Sequence, residues 1–289
     1  MDISVIIPTY NREEYLSECL DVLMKQNFSG KYEIIIVNDG STQEYRFLEN
    51  YDNKQVIIYV KKSHNGPASA KNYGINLAKG KFIIFIGDDI ICTTDFIRNH
   101  YDFLIKNDKT ISAGKTVWHN DTPNKELFWL LQYTGLGNFA TENKDDCGFY
   151  AFTTSNIGIA RQYLNKERFD ENFPYPALED NELGLRLYKQ GLKIKYNEKA
   201  LAYHKHAYTM DVIKIRQWEL GYSLGYFINK RPEVKKVFLR PQIVILLARI
   251  LQTKLFFFLG PLNMLMVCLC IKQQGIKDFS TDVQPDKFN

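Results

Sequence analysis

The sequence predicts an α/β fold in which a mostly parallel, Rossmann-like sheet is flanked by helices. Apolar strand patterns alternate with amphipathic helix patterns over residues 3–86, and polar residues follow the strands. Such alternation places helices on both faces of a parallel sheet, so its strands are continuous apolar runs. A third observation is the strongly apolar C-terminal region, which predicts a helical extension.

The elements of the first part follow one another in a regular order. Residues 3–8 are a short β-branched run that ends at a proline, as expected of a buried strand. Residues 13–26 repeat leucine at helical spacing from Leu16 to Leu23. The other elements predicted here are strands at 32–37, 55–60 and 82–86 and helices at 42–50 and 67–79.

The second part is less regular. Residues 107–178 show no clear period. A helix is expected over 179–191, where Glu182 and Arg186 have the spacing of a helical ion pair. The elements predicted after it are a strand at 193–196 and a helix at 212–229.

The bulk composition is that of an ordinary globular protein. The 289 residues are 45% hydrophobic and 24% charged, so a substantial core can form. The net charge of +4 is too small to indicate a nucleic-acid partner, and none is expected. The five cysteines are scattered without a CxxC pair, which argues against a zinc site and for a reducing compartment. The start of the chain lacks signal-peptide features, so we expect a cytoplasmic protein, at the cytoplasmic face of the cell membrane.

The C-terminal region is distinguished by its apolar runs. We expect one α/β domain over residues 1–230 and a helical extension over 231–289. Residues 243–248 and 255–271 are strongly apolar, and the second run is at the short edge of a membrane span. It forms either a buried helical hairpin or an in-plane anchor, and we predict peripheral membrane contact through it.

Polar residues gather where three predicted strands end, at 9–12, 38–41 and 88–89. Ligands of parallel α/β sheets bind at the carboxyl ends of the strands, so we expect the three segments in one crevice. Taken alone, Asp88 and Asp89 favour a metal site and an ordinary turn equally.

Five motifs occur in order along the chain. They are SVIIPTYNR at 4–12, VNDGS at 37–41, NGPASAKNYG at 65–74, FIGDD at 85–89 and EDNELGLRL at 179–187. Together they resemble glycosyltransferase family 2, a family of inverting nucleotide-sugar transferases, over residues 3–230. The resemblance implies the GT-A fold and makes residues 1–230 the catalytic domain.

The resemblance implies transfer of a sugar from a nucleotide-diphosphate sugar, which we predict to be a UDP-sugar, to a hydroxyl group. A divalent cation, Mn²⁺ or Mg²⁺, would neutralise the leaving diphosphate, and hard cations prefer carboxylate oxygens. By resemblance Asp89 and His204 are metal ligands, and Asp88 contacts the ribose or supports the site. Gly87 stands where the family usually has an aspartate, which leaves the division of roles between the two acids open.

Donor binding is assigned by resemblance to the first motifs. Asp39 would accept the imide N–H of uracil, although its position also suits a cap of the helix at 42–50. Tyr10 would lie against the base and Arg12 near the phosphates. Lys71, where relatives usually carry arginine, is either a donor ligand or an exposed helix lysine. The predicted donor-binding residues are Pro8, Thr9, Tyr10, Arg12, Asp39, Lys71 and Asp88.

Asp180 is the predicted catalytic base. Inverting transfer needs a base that removes the acceptor hydroxyl proton and stands apart from the metal carboxylates. Acids in a first helical turn also favour the helix dipole without any catalytic role. Glu179 and Asn156 are placed on the acceptor side. Trp118 and Trp129 either stack on an acceptor sugar or pack in the core.

The expected acceptor is a glycan, a lipid-linked molecule or a protein. An alternative function is a catalytically degenerate nucleotide- or sugar-binding module of the same fold, which Gly87 favours and the intact Asp89 and Asp180 disfavour. A nucleotidyltransferase would need a glycine-rich phosphate loop after the first strand, and residues 8–12 do not supply one.

Overall fold

The computed structural model describes residues 1–51, 56–123, 143–238 and 260–281, with side chains for all but 260–267. These residues belong to two compact units. The first comprises Met1–Thr122, Glu179–His206 and the described part of Phe139–Glu171, and the second Asn172–Leu178 and the described part of Ala207–Asn289. The division after His206 lies earlier in the chain than residue 230, and the predicted extent of the catalytic domain stays a prediction.

The first unit contains an eight-stranded sheet. Its strands are β1 (Ile3–Thr9), β2 (Tyr32–Asn38), β3 (Ile57–Lys61), β4 (Phe82–Ile86), β5 (Ile90–Cys92), β6 (Thr110–Trp118), β7 (Asn156–Ala160) and β8 (Lys193–His204). Their order across the sheet is β3-β2-β1-β4-β7-β6-β8-β5. The first four strands along the chain pair in parallel, as do β6 and β8, whereas β7 and β5 are antiparallel to their neighbours. The predicted mostly parallel sheet is confirmed.

Helices cover both faces of this sheet. They are α1 (Glu13–Leu23), α2 (Gly66–Leu77), α3 (Phe96–Lys106) and α4 (Glu179–Lys189). Successive residues of β2 alternate between two core clusters, because side chains of a strand point to opposite faces in turn. Ile34 packs in the cluster that includes α1 and α3, and Ile35 in the cluster that includes α2 and α4. This burial on two sides explains why the strand sequences are apolar throughout.

Several elements differ from the sequence prediction. The structure adds α3, β5, β6 and β7, and β8 continues to His204 because it pairs with both β6 and β5. The helix predicted at 42–50 is a 3₁₀ helix over Arg46–Asn50 only. The backbone N–H groups of Ser41 and Thr42 donate to the side chains of Asn38 and Asn11, respectively.

The second unit contains helices α5 (Met210–Lys230), α6 (Lys235–Phe238) and α7 (Gly260–Ser280). Glycines let α5 and α7 approach closely: a Cβ added at Gly221 would lie 2.0 Å from the carbonyl oxygen of Lys272. The Trp218 indole N–H donates to Asp278 Oδ2 at 2.8 Å across the same pair of helices. These contacts give the described part of α7 a protein partner.

Membrane contact was predicted for the apolar C-terminal runs. Within the described ranges, no helix is both long enough and apolar enough to span a bilayer. The apolar run at 243–248 and residues 255–259 of the second run lie outside the described residues, and peripheral membrane contact stays a prediction.

Candidate functional site

Asp39 is buried directly after β2, and its carboxylate accepts hydrogen bonds from backbone N–H groups at the N-terminal end of α2. The backbone N–H of Gly66 donates to Oδ2 at 2.8 Å, and that of Asn65 donates to Oδ1 at 3.2 Å. Lys62 Nζ lies 2.6 Å from Oδ1, and His64 Nδ1 lies 2.8 Å from Oδ2. Asp39 therefore caps α2 rather than the segment that follows it in the chain.

Tyr10 lies beside this carboxylate with an exposed ring. It stacks on His64, with ring centroids 4.2 Å apart and planes inclined by 21°. Tyr10 is 41% exposed, so the aromatic pair is open to solvent next to a buried carboxylate. Such a surface suits a planar base, because aromatic rings stack on nucleobases with little sequence preference.

The remaining residues of the first motif are held close to the same place. Pro8 pairs with β2 in register, and the Asp39 N–H donates to the Thr9 carbonyl at 2.9 Å. The Tyr45 hydroxyl lies 3.2 Å from Thr9 Oγ1 and accepts the Arg12 N–H at 3.0 Å. The predicted donor segment and Asp39 therefore form adjoining loops.

Arg12 reaches from this segment to the acidic pair after β4. Its Nη1 lies 2.6 Å from Asp89 Oδ2 and 3.3 Å from Asp88 Oδ1. His204 Nε2 and His206 Nδ1 lie 3.2 and 3.3 Å from the same oxygen of Asp89. His204 ends β8, and the following N–H, at residue 205, donates to the Asp89 carbonyl at 2.9 Å, which keeps this strand end beside the pair.

The two carboxyl groups differ electrostatically. Burial and the negative charge of Asp89 raise the pKa of Asp88, against the opposing effect of Arg12. Burial alone would also raise the pKa of Asp89, but His204, His206 and Arg12 outweigh it and hold that pKa well below the ordinary value. Asp89 is consequently the carboxylate that stays ionised.

Gly87 preserves the position of this carboxylate. A Cβ added there would lie 2.9 Å from Asp89 Oδ1, so any side chain would press on Asp89. Across the residues that the structure describes, no three His, Cys, Asp or Glu side chains are grouped as a metal site by themselves.

Asp180 opens α4 and is fixed from two sides. Its Oδ2 accepts the backbone N–H and the hydroxyl of Thr154, both at 2.8 Å. Its Oδ1 accepts a hydrogen bond from Lys71, whose Nζ also lies 2.8 Å from Glu179 Oε1. Lys71 is 2% exposed, so the alternative of an exposed helix lysine is wrong.

The two residues predicted to lie on the acceptor side, Asn156 and Glu179, both have buried side chains. Asn156 is buried: its Oδ1 lies 2.9 Å from His100 Nε2, and its Nδ2 donates to the Ala200 carbonyl at 3.0 Å. Its amide makes hydrogen bonds to neighbouring strands and to α3, and its predicted acceptor-side role stays a prediction. Glu179 is also buried and directs its carboxylate at Lys71.

Trp118, one of the two tryptophans considered as sugar platforms, is half-buried. One face of its ring stacks on His204, with centroids 4.9 Å apart and planes inclined by 16°. Trp129 lies outside the described residues.

Sequence reasoning also missed residues that the structure brings to the site. Tyr45, Lys62 and His64 contact the donor segment or Asp39. Lys62 and His64 directly follow β3, and the position of a strand end was the signal available for finding them.

The sheet order and its flanking helices define the chain as an α/β protein of the GT-A type. Solved structures share this fold: a mannosyltransferase from Pyrobaculum calidifontis in complex with GDP-Man and Mn²⁺ has a TM-score of 0.65 at 15% identity, over 98% of this chain and 88% of that one. Staphylococcus aureus TarS 1-349 in complex with UDP-GlcNAc has a TM-score of 0.58 at 18% identity, over 100% of this chain and 94% of that one.

The chain belongs to glycosyl transferase family 2, whose model matches residues 4–167. A hyaluronan synthase of Pasteurella multocida is 28% identical over 236 residues, which is 70% of this chain and 24% of the synthase. The poly(ribitol-phosphate) beta-N-acetylglucosaminyltransferase TarS of Staphylococcus aureus is 32% identical over 209 residues, 63% of this chain and 36% of that enzyme. The chain thus spans about a quarter of the first relative and about a third of the second.

Proposed function

We propose that the protein is a metal-dependent, inverting glycosyltransferase that moves a sugar from a UDP-sugar to a hydroxyl of an acceptor glycan. The acceptor would belong to a cell-surface polysaccharide, a glycolipid or a glycoprotein. The observation that carries this proposal is that one compact unit holds three carboxylates, Asp39, Asp89 and Asp180, each fixed by its own set of donors. Family membership supports glycosyl transfer by this unit.

The donor would bind against the Asp39 side of the site. The open face of the Tyr10 ring would stack on the nucleobase, and the Asp39 carboxylate would accept an imide N–H of uracil in place of its contact with the Lys62 or His64 side chain. Arg12 would lie near the diphosphate, because its guanidinium already bridges to the acidic pair. UDP is favoured over other nucleotides because TarS, a relative at 32% identity, is solved with UDP-GlcNAc.

The ligand set around Asp89 fits a divalent cation in part. Asp89 and His204 would hold the ion, and carboxylate together with imidazole suits Mn²⁺. Mg²⁺ and similar ions commonly bind one or two protein carboxylates and fill their other positions with substrate phosphates and water. A bound ion would supply charge neutralisation for the leaving diphosphate.

The transfer would be a single displacement. Asp180 would accept the acceptor hydroxyl proton as that oxygen forms a bond to the anomeric carbon. The bond from the anomeric carbon to the diphosphate oxygen would break, and its electron pair would leave with the nucleotide. Attack from the face opposite the leaving group inverts the anomeric configuration.

A thermal-shift panel of UDP-, GDP-, CMP- and dTDP-sugars, each with and without Mn²⁺, tests the donor assignment. Ligands that bind only the native state raise apparent stability by mass action. We expect a Mn²⁺-dependent shift with UDP-sugars. Asp180→Asn should keep that shift and lose sugar transfer, and transfer at the wild-type rate would exclude Asp180 as the base. Donor binding without any turnover of wild-type protein would favour a binding module.

A further inference from the structure

Lys71 is a buried cation whose contacts lie around Asp180, the proposed catalytic base. Its side chain is 2% exposed, although lysine is almost never buried without a partner. Nζ donates to Glu179 Oε1 at 2.8 Å, to Thr154 Oγ1 at 3.2 Å and to Asp180 Oδ1. The same Nζ lies 4.4 Å above the centre of the Phe169 ring. All of these partners belong to the segments that carry Asp180 or pack beside it.

The hydrogen bonds to Asp180 distinguish its two oxygens. An ionised carboxylate offers about four acceptor positions, two on each oxygen. Both positions of Oδ2 are used by Thr154, and one position of Oδ1 is used by Lys71. Among the described residues, the acceptor position that is left is therefore on Oδ1.

Of Lys71, Glu179 and Asp180, the side chain that is most exposed is also Asp180. The Asp180 side chain is 17% exposed, against 8% for Glu179 and 2% for Lys71. Asp180 is thus the acid that an acceptor can reach, and Lys71 approaches it from the interior.

The charges of the cluster allow proton uptake without an unbalanced buried cation. Burial by itself lowers the pKa of Lys71, but Asp180 and Glu179 outweigh it and raise that pKa, so the ammonium stays charged. When Asp180 takes a proton it becomes neutral, and Glu179 remains as the counter-charge of Lys71. The net charge of the three groups changes from −1 to 0.

We infer that Lys71 is a positioning residue for Asp180 and is not a donor ligand. It fixes Oδ1 so that the last acceptor position of the carboxylate is available to the acceptor hydroxyl, while Glu179 keeps the cation balanced. This inference rests on the proposed role of Asp180 as the base.

The test compares kcat with donor KM in Lys71→Met, using UDP-N-acetylglucosamine as donor, water as acceptor and Mn²⁺ present, with UDP release as the readout. A group that acts only in the chemical step changes kcat, whereas a donor ligand changes KM. We expect kcat to fall about 100-fold, since general bases contribute about 10²–10⁴-fold, with KM within about threefold of wild type. Lys71→Arg should recover activity to within about tenfold of wild type, because it retains the charge.

Matched variants separate a catalytic effect from misfolding. Lys79→Met removes an exposed lysine just after α2 and should leave both constants unchanged. Thr154→Val removes one hydrogen bond to Oδ2 and one from Lys71 Nζ but keeps all three charges of the cluster, so it tests the same positioning if Lys71→Met does not fold. It should lower kcat about tenfold at constant KM.

Two results would overturn the inference. One is a Lys71→Met enzyme with wild-type kcat and a KM raised tenfold or more, which would make Lys71 a donor ligand. The other is wild-type kinetics in both Lys71→Met and Thr154→Val. Asp180→Asn, measured alongside, distinguishes failure of this inference from failure of the proposed function. If Asp180→Asn is inactive while Lys71→Met is active, only the inference about Lys71 fails. If Asp180→Asn is fully active, Asp180 is not the base.

Discussion

Lowering the pH from 8 to 5 is expected to destabilise the fold through His100, a histidine buried in α3. Its Nδ1 lies 2.9 Å from Ser112 Oγ, and its Nε2 lies 2.9 Å from Asn156 Oδ1. An amide oxygen only accepts, so Nε2 carries the proton and Nδ1 accepts from the serine hydroxyl. Burial lowers the pKa of His100 from 6.5 to about 4, against the opposing effect of the Asn156 hydrogen bond.

The size of this effect follows from the two pKa values. A histidine in the unfolded chain titrates near 6.5, so between about pH 6.5 and pH 4 the unfolded state binds a proton that the native state does not. Stability from this group is therefore complete above the unfolded pKa and is lost as the pH falls toward the folded one. The loss is about 2 kcal/mol at pH 5 and approaches about 3 kcal/mol below pH 4.

Urea unfolding of wild type and His100→Gln at pH 8, 7, 6 and 5 measures this contribution. Glutamine keeps a polar side chain but does not titrate, so His100→Gln should be less stable at pH 8 and should lose about 2 kcal/mol less between pH 8 and pH 5. All other titrating groups are common to both proteins, and the difference between the two curves isolates His100. Parallel losses of stability in the two proteins would refute the reasoning.

Two further predictions concern glycines and the donor site. Gly80→Ala should cost about 3 kcal/mol, because its Cβ would lie 2.4 Å from the Ser4 nitrogen, whereas Gly191→Ala should cost about 1 kcal/mol, since its φ of +89° is unfavourable but nothing lies within 4 Å. Chemical unfolding compares the two, and equal losses would contradict the steric argument. Asp39→Ala should weaken UDP binding at least about tenfold in calorimetry with Mn²⁺, because a hydrogen bond to a charged group is worth about 1.5–3 kcal/mol. Unchanged UDP affinity would show that Asp39 does not bind the nucleobase.

The part of the fold that local sequence could predict is the part with purely apolar strands. β1, β2 and β4 were located because every buried position in them carries an aliphatic or aromatic side chain, apart from a few polar residues at their ends. β6 and β7 bury Ser112 and Asn156, and His100 in α3 makes a hydrogen bond to each of them. That pairing joins residues far apart in the chain, and no local period reveals it.

The same distinction applies to the site. Asp39 directly follows β2, and Asp88 and Asp89 come just after β4, so the strand patterns predicted their positions at strand ends. The acidic partners of Lys71 lie in α4, more than a hundred residues later in the chain, so the sequence around Lys71 could not reveal them. Whether each acid performs the role assigned to it stays a prediction.

With Asp39 in nucleotide binding and Asp180 as the catalytic base, as proposed, helix α2 would make donor specificity and turnover hard to change separately. Its first N–H groups are held by Asp39, and Lys71, about 7.5 Å further along the helix axis, holds Asp180. Replacing the loop at Asp39 to admit another nucleotide would shift the N-terminal end of this helix and, through Lys71, the proposed catalytic base Asp180. Engineers who exchange donor pockets within this family should therefore transplant α2 and the start of α4 together with the loop, and screen for rate as well as for binding.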